Sequence, residues 1–134
     1  MYKRQINVEL EQTGSDAISN AAAQVVNTIR ARAIVTHTRT GNTAYRAARE
    51  RPAVPIMCVT QSMKTARAIN LVWGVHAVKT DQISDIDQAV AVAADRALSE
   101  GFAKPGETLV MTAGVPFGRA GSTNTLRIVK VPSD

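Results

Sequence analysis

Ala33-Ile34-Val35-Thr36-His37-Thr38-Arg39-Thr40-Gly41-Asn42-Thr43-Ala44 is the stretch that decides the fold. Its first part, Ala33 to His37, is a short apolar run of strand length. Thr40-Gly41-Asn42-Thr43 breaks the run, and a helical pattern follows from Ala44 to Glu50, stopped by Pro52 and Pro55. A strand that runs through a glycine turn into a helix is the repeating unit of a parallel sheet.

The same cycle continues on the C-terminal side. Ile56 to Thr60 reads as a strand, and Ser62 caps a helix running from Met63 to about Trp73, which Gly74 ends. Val75 to Val78 is a third strand. Asp85 opens a long helix with Ile86, Ala89, Val90, Ala93, Ala94 and Ala97 on its apolar side, ending at Gly101. After a turn at Lys104-Pro105-Gly106-Glu107 comes a fourth strand, Thr108 to Thr112. The last strand, Thr125 to Val131, alternates apolar and polar residues, as an edge strand does. No helix separates these final two strands, so the last one is expected to run antiparallel. On the N-terminal side, Ser15-Asp16 offers an N-cap, and apolar residues recur at helical spacing through Arg30. Residues 1–14 read as a leader or tail, and residues 15–134 as the domain. The expected fold is therefore α/β, a three-layer αβα sandwich around a five-stranded, mostly parallel sheet whose last strand is antiparallel at the edge.

Composition narrows the function classes. At 134 residues the chain has the size of one domain. Aromatics make up only 4%, so the core must be built from Ala, Val, Ile and Leu. Cys58 is the single cysteine and sits in an apolar strand, so no internal disulfide or thiolate metal cluster can form. It reads as a small core residue in a cytoplasmic protein. No apolar run approaches the ~20 residues that a membrane span needs. The net charge of +5 is scattered, and few aromatics interleave it, which argues against nucleic acid and membrane surfaces. It favours a small phosphorylated ligand or an acidic partner domain.

Ligands of such sheets bind beyond the carboxyl ends of the strands. The turn from Thr38 to Thr43 lies there, at a helix N-terminus whose free N–H groups and dipole suit an anion. Thr38, Thr40 and Thr43 add hydroxyls, and Arg39 adds a guanidinium. The same residues would equally serve as a threonine-capped helix with a solvated arginine. The glycine-rich segment Gly114 to Gly121 follows the fourth strand. Its glycine spacing and the strand after it exclude a dinucleotide fingerprint. It is either a loop that closes over a ligand or an ordinary connection. No phosphate-binding P-loop, protein-kinase signature, zinc-protease or serine-hydrolase motif is present in the sequence. His37 and His76 sit in strand patterns, and Asp81, Asp85 and Asp87 gather at a helix start, where the dipole accounts for them.

Taken together, these segments resemble the C-terminal, regulatory domain of pyruvate kinases. Thr38-x-Thr40-Gly41-x-Thr43-Ala44 is similar to that family's T-x-S/T-G-x-S/T-A turn. Pro55-Ile56-Met57-Cys58-Val59-Thr60 with Thr65-Ala66-Arg67, then Trp73-Gly74-Val75, and then Gly121-Ser122-Thr123-Asn124-Thr125-Leu126-Arg127-Ile128 match further blocks in family order. The resemblance implies a domain without catalytic residues, metal or cofactor of its own. The barrel that turns phosphoenolpyruvate and ADP into pyruvate and ATP in glycolysis, with its Mg and K, would be a separate domain and a partner. It further implies that Thr38, Arg39, Thr40, Gly41, Asn42 and Thr43 hold the phosphate of an allosteric effector. The loop containing Gly114, Phe117, Gly118, Arg119, Gly121 and Ser122 would fold over it, and the domain would contribute to a homo-oligomer. Members that respond to fructose 1,6-bisphosphate often carry a Trp and an Arg near the start of the long helix. Gln82 and Ala89 stand at those places here, which favours a sugar monophosphate or AMP. The competing readings are a free-standing phospho-ligand-binding protein or small enzyme of the same fold, with His37 as its only candidate base, and a nucleic-acid module.

Overall fold

The computed structural model of the chain describes residues 2–114 and 123–133, with side chains from residue 14 onward. The elements in chain order are α1 (Tyr2–Ile29), β1 (Ile34–His37), α2 (Asn42–Arg49), β2 (Ile56–Thr60), α3 (Met63–Ile69), β3 (Val75–Lys79), α4 (Ile86–Ser99), β4 (Thr108–Ala113) and β5 (Thr125–Lys130). They form the sheet β3-β2-β1-β4-β5. All neighbours are parallel except β4 and β5, which are antiparallel from Thr108↔Lys130 to Ala113↔Thr125. The architecture is the expected one.

Two apolar layers hold the sheet between its helices. Ala22, Val26, Ala44, Ala47 and Ile69 of α1, α2 and α3 pack on Ile34, Ile56, Cys58 and Val110. On the other face Ala89, Ala93 and Ala97 form an alanine stripe along α4 against Val35, Met57, Leu109 and Met111. Small residues at i, i+4 and i+8 let a helix lie close to the sheet, and the methionines fill what the scarce aromatics cannot. β1 and β2 are buried at every residue, as strands covered on both faces should be. In β5, Val129 turns inward while Arg127, Ile128 and Lys130 are exposed, which fits an edge.

Two helix boundaries differ most from the sequence reading. α1 does not start at Ser15 but runs without a break from Tyr2. Residues 2–12 contain no proline and several strong helix formers, and Gly14 costs only ~1 kcal/mol inside a helix. Ser15 is consequently turned toward the interior, and Asp16 lies near Arg46 (3.6 Å) and Arg49 (3.7 Å) of α2. α3 ends at Ile69, short of Trp73. The Asn70 side chain accepts a hydrogen bond from the Ala77 N–H of β3 (2.9 Å), and the chain tightens into a turn at once. α2 starts at Asn42, two residues before the expected Ala44, while the starts of α3 and α4 are as read. Ser62 accepts from the Thr65 N–H and Asp85 from the Gln88 N–H. Gly101, at φ 81°, closes α4 with the paired bonds Phe102 N–H to Ala97 O (2.8 Å) and Gly101 N–H to Leu98 O (3.2 Å).

Candidate functional site

The chain leaves β1 toward β2 through α2 on one face, and returns from β3 to β4 through α4 on the other. The strand order therefore reverses between β1 and β4. In sheets of this kind ligands bind beyond the carboxyl ends of the strands at such a reversal. The loops leaving β1 and β4 there are the Thr38–Thr43 turn and the segment beginning at Gly114.

The turn is built around Gly41, the N-cap of α2, at φ 94°. A Cβ there would lie 2.9 Å from Ile69 Cδ1, so both backbone conformation and space call for glycine. The Thr38 hydroxyl accepts the Gly41 N–H at 2.9 Å, and the Thr40 hydroxyl receives only a long contact from the Asn42 N–H at 3.4 Å. Thr65 of α3 donates to the Arg39 carbonyl at 2.8 Å and holds the turn from the side. Gly41 at the N-cap position has no side chain to close α2, and the Thr40 contact to the first helical N–H is the long one. The first N–H groups of a helix have no acceptors within it, and here they lie beside Thr38 and Thr40. No acidic residue occupies the first turn of α2, so nothing there repels an anion.

The structure brings the expected residues together in different roles. Arg39, Thr40 and Asn42 are exposed, and Thr38 is half-buried. Thr43 is buried, and its hydroxyl meets that of Thr123 at 2.6 Å. This bond ties the start of α2 to the residue where the β4–β5 connection returns, and the Asn124 N–H donates to Ala113 O at 3.1 Å to close the base of that connection. Gly114 is half-buried at its start. Phe117, Gly118, Arg119, Gly121 and Ser122 lie outside the described residues.

The other candidates have structural positions. His37 points to the opposite face, where its Nε2–H donates to the Ala89 carbonyl at 3.1 Å. Burial lowers its pKa to about 4, the hydrogen bond opposing only in part, so the ring is neutral at pH 7 and poorly placed to serve as a base. Cys58 is fully buried, and burial raises its pKa to about 11, which keeps it a thiol. His76 bonds to Glu100 at 2.8 Å and leans on Phe102. Ala89 is fully buried in the core, and Gln82 is exposed.

Two features were not singled out from the sequence. Thr123 and Thr65 support the turn from distant elements, which spacing alone does not reveal. Thr36 and Thr112 stand side by side in register on β1 and β4, both buried; the Thr36 hydroxyl has only the weak Cys58 thiol as a neighbour, and those of Thr112 and of Ser15 of α1 have no partner among the described residues. A threonine at the centre of an otherwise apolar strand was the available signal.

The family described as "Pyruvate kinase, alpha/beta domain" matches residues 16–129. The pyruvate kinase of Methylorubrum extorquens AM1 is 42% identical over 123 residues, which are 92% of this chain and 26% of that protein. That of Clostridium acetobutylicum is 37% identical over 114 residues, 85% of this chain and 24% of that protein. Among solved structures, a pyruvate kinase from Cryptosporidium parvum superposes with a TM-score of 0.80 at 26% identity, over 89% of this chain and 23% of that one. The C. parvum enzyme in complex with ADP gives the same TM-score at 28% identity. The chain thus spans about a quarter of the length of the relatives it matches.

Proposed function

The chain belongs to the pyruvate kinase family, as that enzyme's α/β domain, and we propose that it works there as a regulatory and assembly domain that binds a phosphorylated allosteric effector at the β1–α2 turn. The observation that carries this reading is the start of α2, with no cap from its N-cap residue, at the point where the strand order reverses. A glycine N-cap leaves helix N–H groups to a ligand, with Thr38, Arg39, Thr40 and Asn42 around them and Thr43 linked to Thr123. In this reading the phosphotransfer from phosphoenolpyruvate to ADP, with its Mg and K, belongs to a separate catalytic domain. The chain by itself turns over neither substrate.

A single phosphate fits these residues better than two. Position 89 faces the core and is alanine, so no cation stands there for a second phosphate. AMP or a sugar monophosphate is the favoured effector class, ahead of fructose 1,6-bisphosphate. The β5 edge supplies the surface for assembly. Ile128 is 54% exposed on it, and its outer backbone groups can pair with a second copy across a two-fold axis. Arg127 and Lys130 beside it are the charges by which a sheet would otherwise blunt such an edge.

The test is calorimetry with the chain itself. AMP and glucose 6-phosphate should bind, and Arg39→Ala should weaken them by ~1.5–3 kcal/mol, the worth of a charge-assisted hydrogen bond. At a hundredfold excess over Kd, a bound effector should add ~2.7 kcal/mol of stability. Equal binding to wild type and Arg39→Ala would sink the site assignment. Tighter binding of the bisphosphate would overturn the choice of ligand.

A further inference from the structure

Among the described residues the large apolar side chains are well hidden, with one exception. In the turn between α3 and β3, Leu71 is 89% exposed and Trp73, the only tryptophan, is 92% exposed. The next most exposed large apolar residue, Ile128, reaches only 54%. The turn that carries the pair is firmly held. The N–H groups of Leu71 and Val72 donate to Ala68 O (3.2 Å) and Ile69 O (2.9 Å). That of Val75 donates to Val72 O (3.2 Å), and Gly74 O accepts from the Ile56 N–H (3.0 Å). Asn70 clamps the turn to β3. Two protruding apolar side chains on a fixed backbone are preorganised for burial, because little order remains to be imposed when a partner arrives.

We propose that the Leu71–Trp73 turn is the anchor by which this domain docks on the catalytic domain of a pyruvate kinase. This rests on the reading above that the chain works as one domain of that larger enzyme. The relatives carry about three-quarters of their length outside the matched segment, which supplies the partner. A second copy is the poorer occupant on grounds of area. One Trp and one Leu bury roughly 400 Å² together, about half of what each partner gives to a stable interface between free molecules. A domain joined through the chain needs far less, since the covalent link holds it at high effective concentration. Shape argues the same way. A two-fold contact through a convex turn needs a matching apolar hollow beside it, and a hollow of about 340 Å³ on the described surface is mostly polar, lined by Lys79, Thr80, Asp81, Asp95 and Arg96 with Val92 alone apolar. The catalytic domain should therefore present an apolar pocket. Acidic groups should stand at its rim, facing the exposed Lys64 and Arg67 of α3.

Trp73 is its own reporter. The isolated chain is compared with a chimera in which it replaces the matched quarter of the M. extorquens enzyme, and oxidation of Trp73 is followed by mass spectrometry. Oxidation should be roughly tenfold slower in the chimera, since the core of an interface excludes water as an interior does. Trp73→Ser and Leu71→Ser should leave the melting temperature of the isolated chain unchanged and lower that of the chimera by about 4 °C or more. Trp73→Phe should restore most of the loss. Oxidation as fast in the chimera as in the free chain overturns the proposal. So do unchanged chimera melting in both serine variants, failure of the chimera to assemble, and protection that rises with concentration in the free chain, the mark of a second copy. Protection without any effect of phosphate esters leaves the docking and removes the effector reading. Effector binding without protection does the reverse.

Discussion

Three helices begin at the carboxyl end of the sheet, after β1, β2 and β3, and they begin in two ways. α3 and α4 are closed by their own chain. Ser62 accepts from the Thr65 N–H at 3.1 Å and Asp85 from the Gln88 N–H at 2.8 Å, while the Gln88 side chain accepts from the Ser84 N–H at 2.8 Å. α2 has a glycine in that place and no side-chain cap. The capped starts satisfy their N–H groups locally, at a gain of ~1 kcal/mol each. The uncapped start forgoes that gain, and its backbone takes a left-handed turn that only glycine adopts easily. The fold twice uses the ordinary device and once omits it, at the point where the strand order reverses. The comparison can be broken or sharpened by measurement.

The largest effect is expected at Gly41 itself. An alanine there meets two costs, ~1–2 kcal/mol for a Cβ in left-handed backbone and ~1–3 kcal/mol for displacing the buried Ile69. Urea unfolding of Gly41→Ala should show a loss of about 3 kcal/mol. A loss well under 1 kcal/mol would mean that the turn relaxes freely, and that the open helix end is not a fixed feature.

The α4 start has a second tie that the α2 start lacks, the Nε2–H of His37 on the Ala89 carbonyl. The bond itself would favour a charged ring, since imidazolium also donates from Nε2; burial is what holds the ring neutral. Because the folded pKa is lowered from 6.5 to about 4, the unfolded chain takes up a proton that the folded chain refuses as pH falls below 6.5. Stability from this group is fully present above pH 6.5, declines between there and about 4, and is flat below. The whole step is on the order of 3 kcal/mol. His37→Leu should remove that part of the decline, read as the difference between wild-type and variant unfolding curves from pH 7 to pH 4. Parallel curves would show that the ring protonates in place and that its burial costs the charged form little.

The order and type of the elements were legible because local signals agreed with the tertiary fold. Ile56–Thr60 is a short apolar run between prolines and a serine cap, and it is a strand buried on both faces. Asp85 and Gly101 bracket α4 as caps should. What escaped were places where a distant group overrode a local one. Asn70 ends α3 by reaching β3, although the apolar pattern carries on to Trp73. Ser15 looks like an N-cap, but the helix formers before it outweigh that signal, and the hydroxyl ends up buried. The candidate site was half legible. The strand–glycine–helix order located the Thr38–Thr43 turn and its hydroxyls. Whether α2 was capped, and that Thr43 faces Thr123, depended on backbone angles and on a partner far along the chain.

The smallest effect tests whether an open helix end suffices for anion binding. Asp85→Ala and Ser62→Ala should each lower stability by ~1 kcal/mol, as loss of a cap does. Adding phosphate should then stabilise the Asp85→Ala variant by the same increment as the wild type, through the α2 turn alone. Opening α4 should not create a second site. Its first turn keeps Asp87, whose charge opposes an anion at the helix dipole, whereas α2 has no acid in its first turn and Arg39 directly before it. Melting temperatures at rising phosphate concentration read the result. If Asp85→Ala gains a larger phosphate increment than the wild type, any uncapped helix start in this fold captures the ion. The hydroxyls and guanidinium around Gly41 would then confer no selectivity, and the contrast between the helix starts would reduce to the presence or absence of a cap.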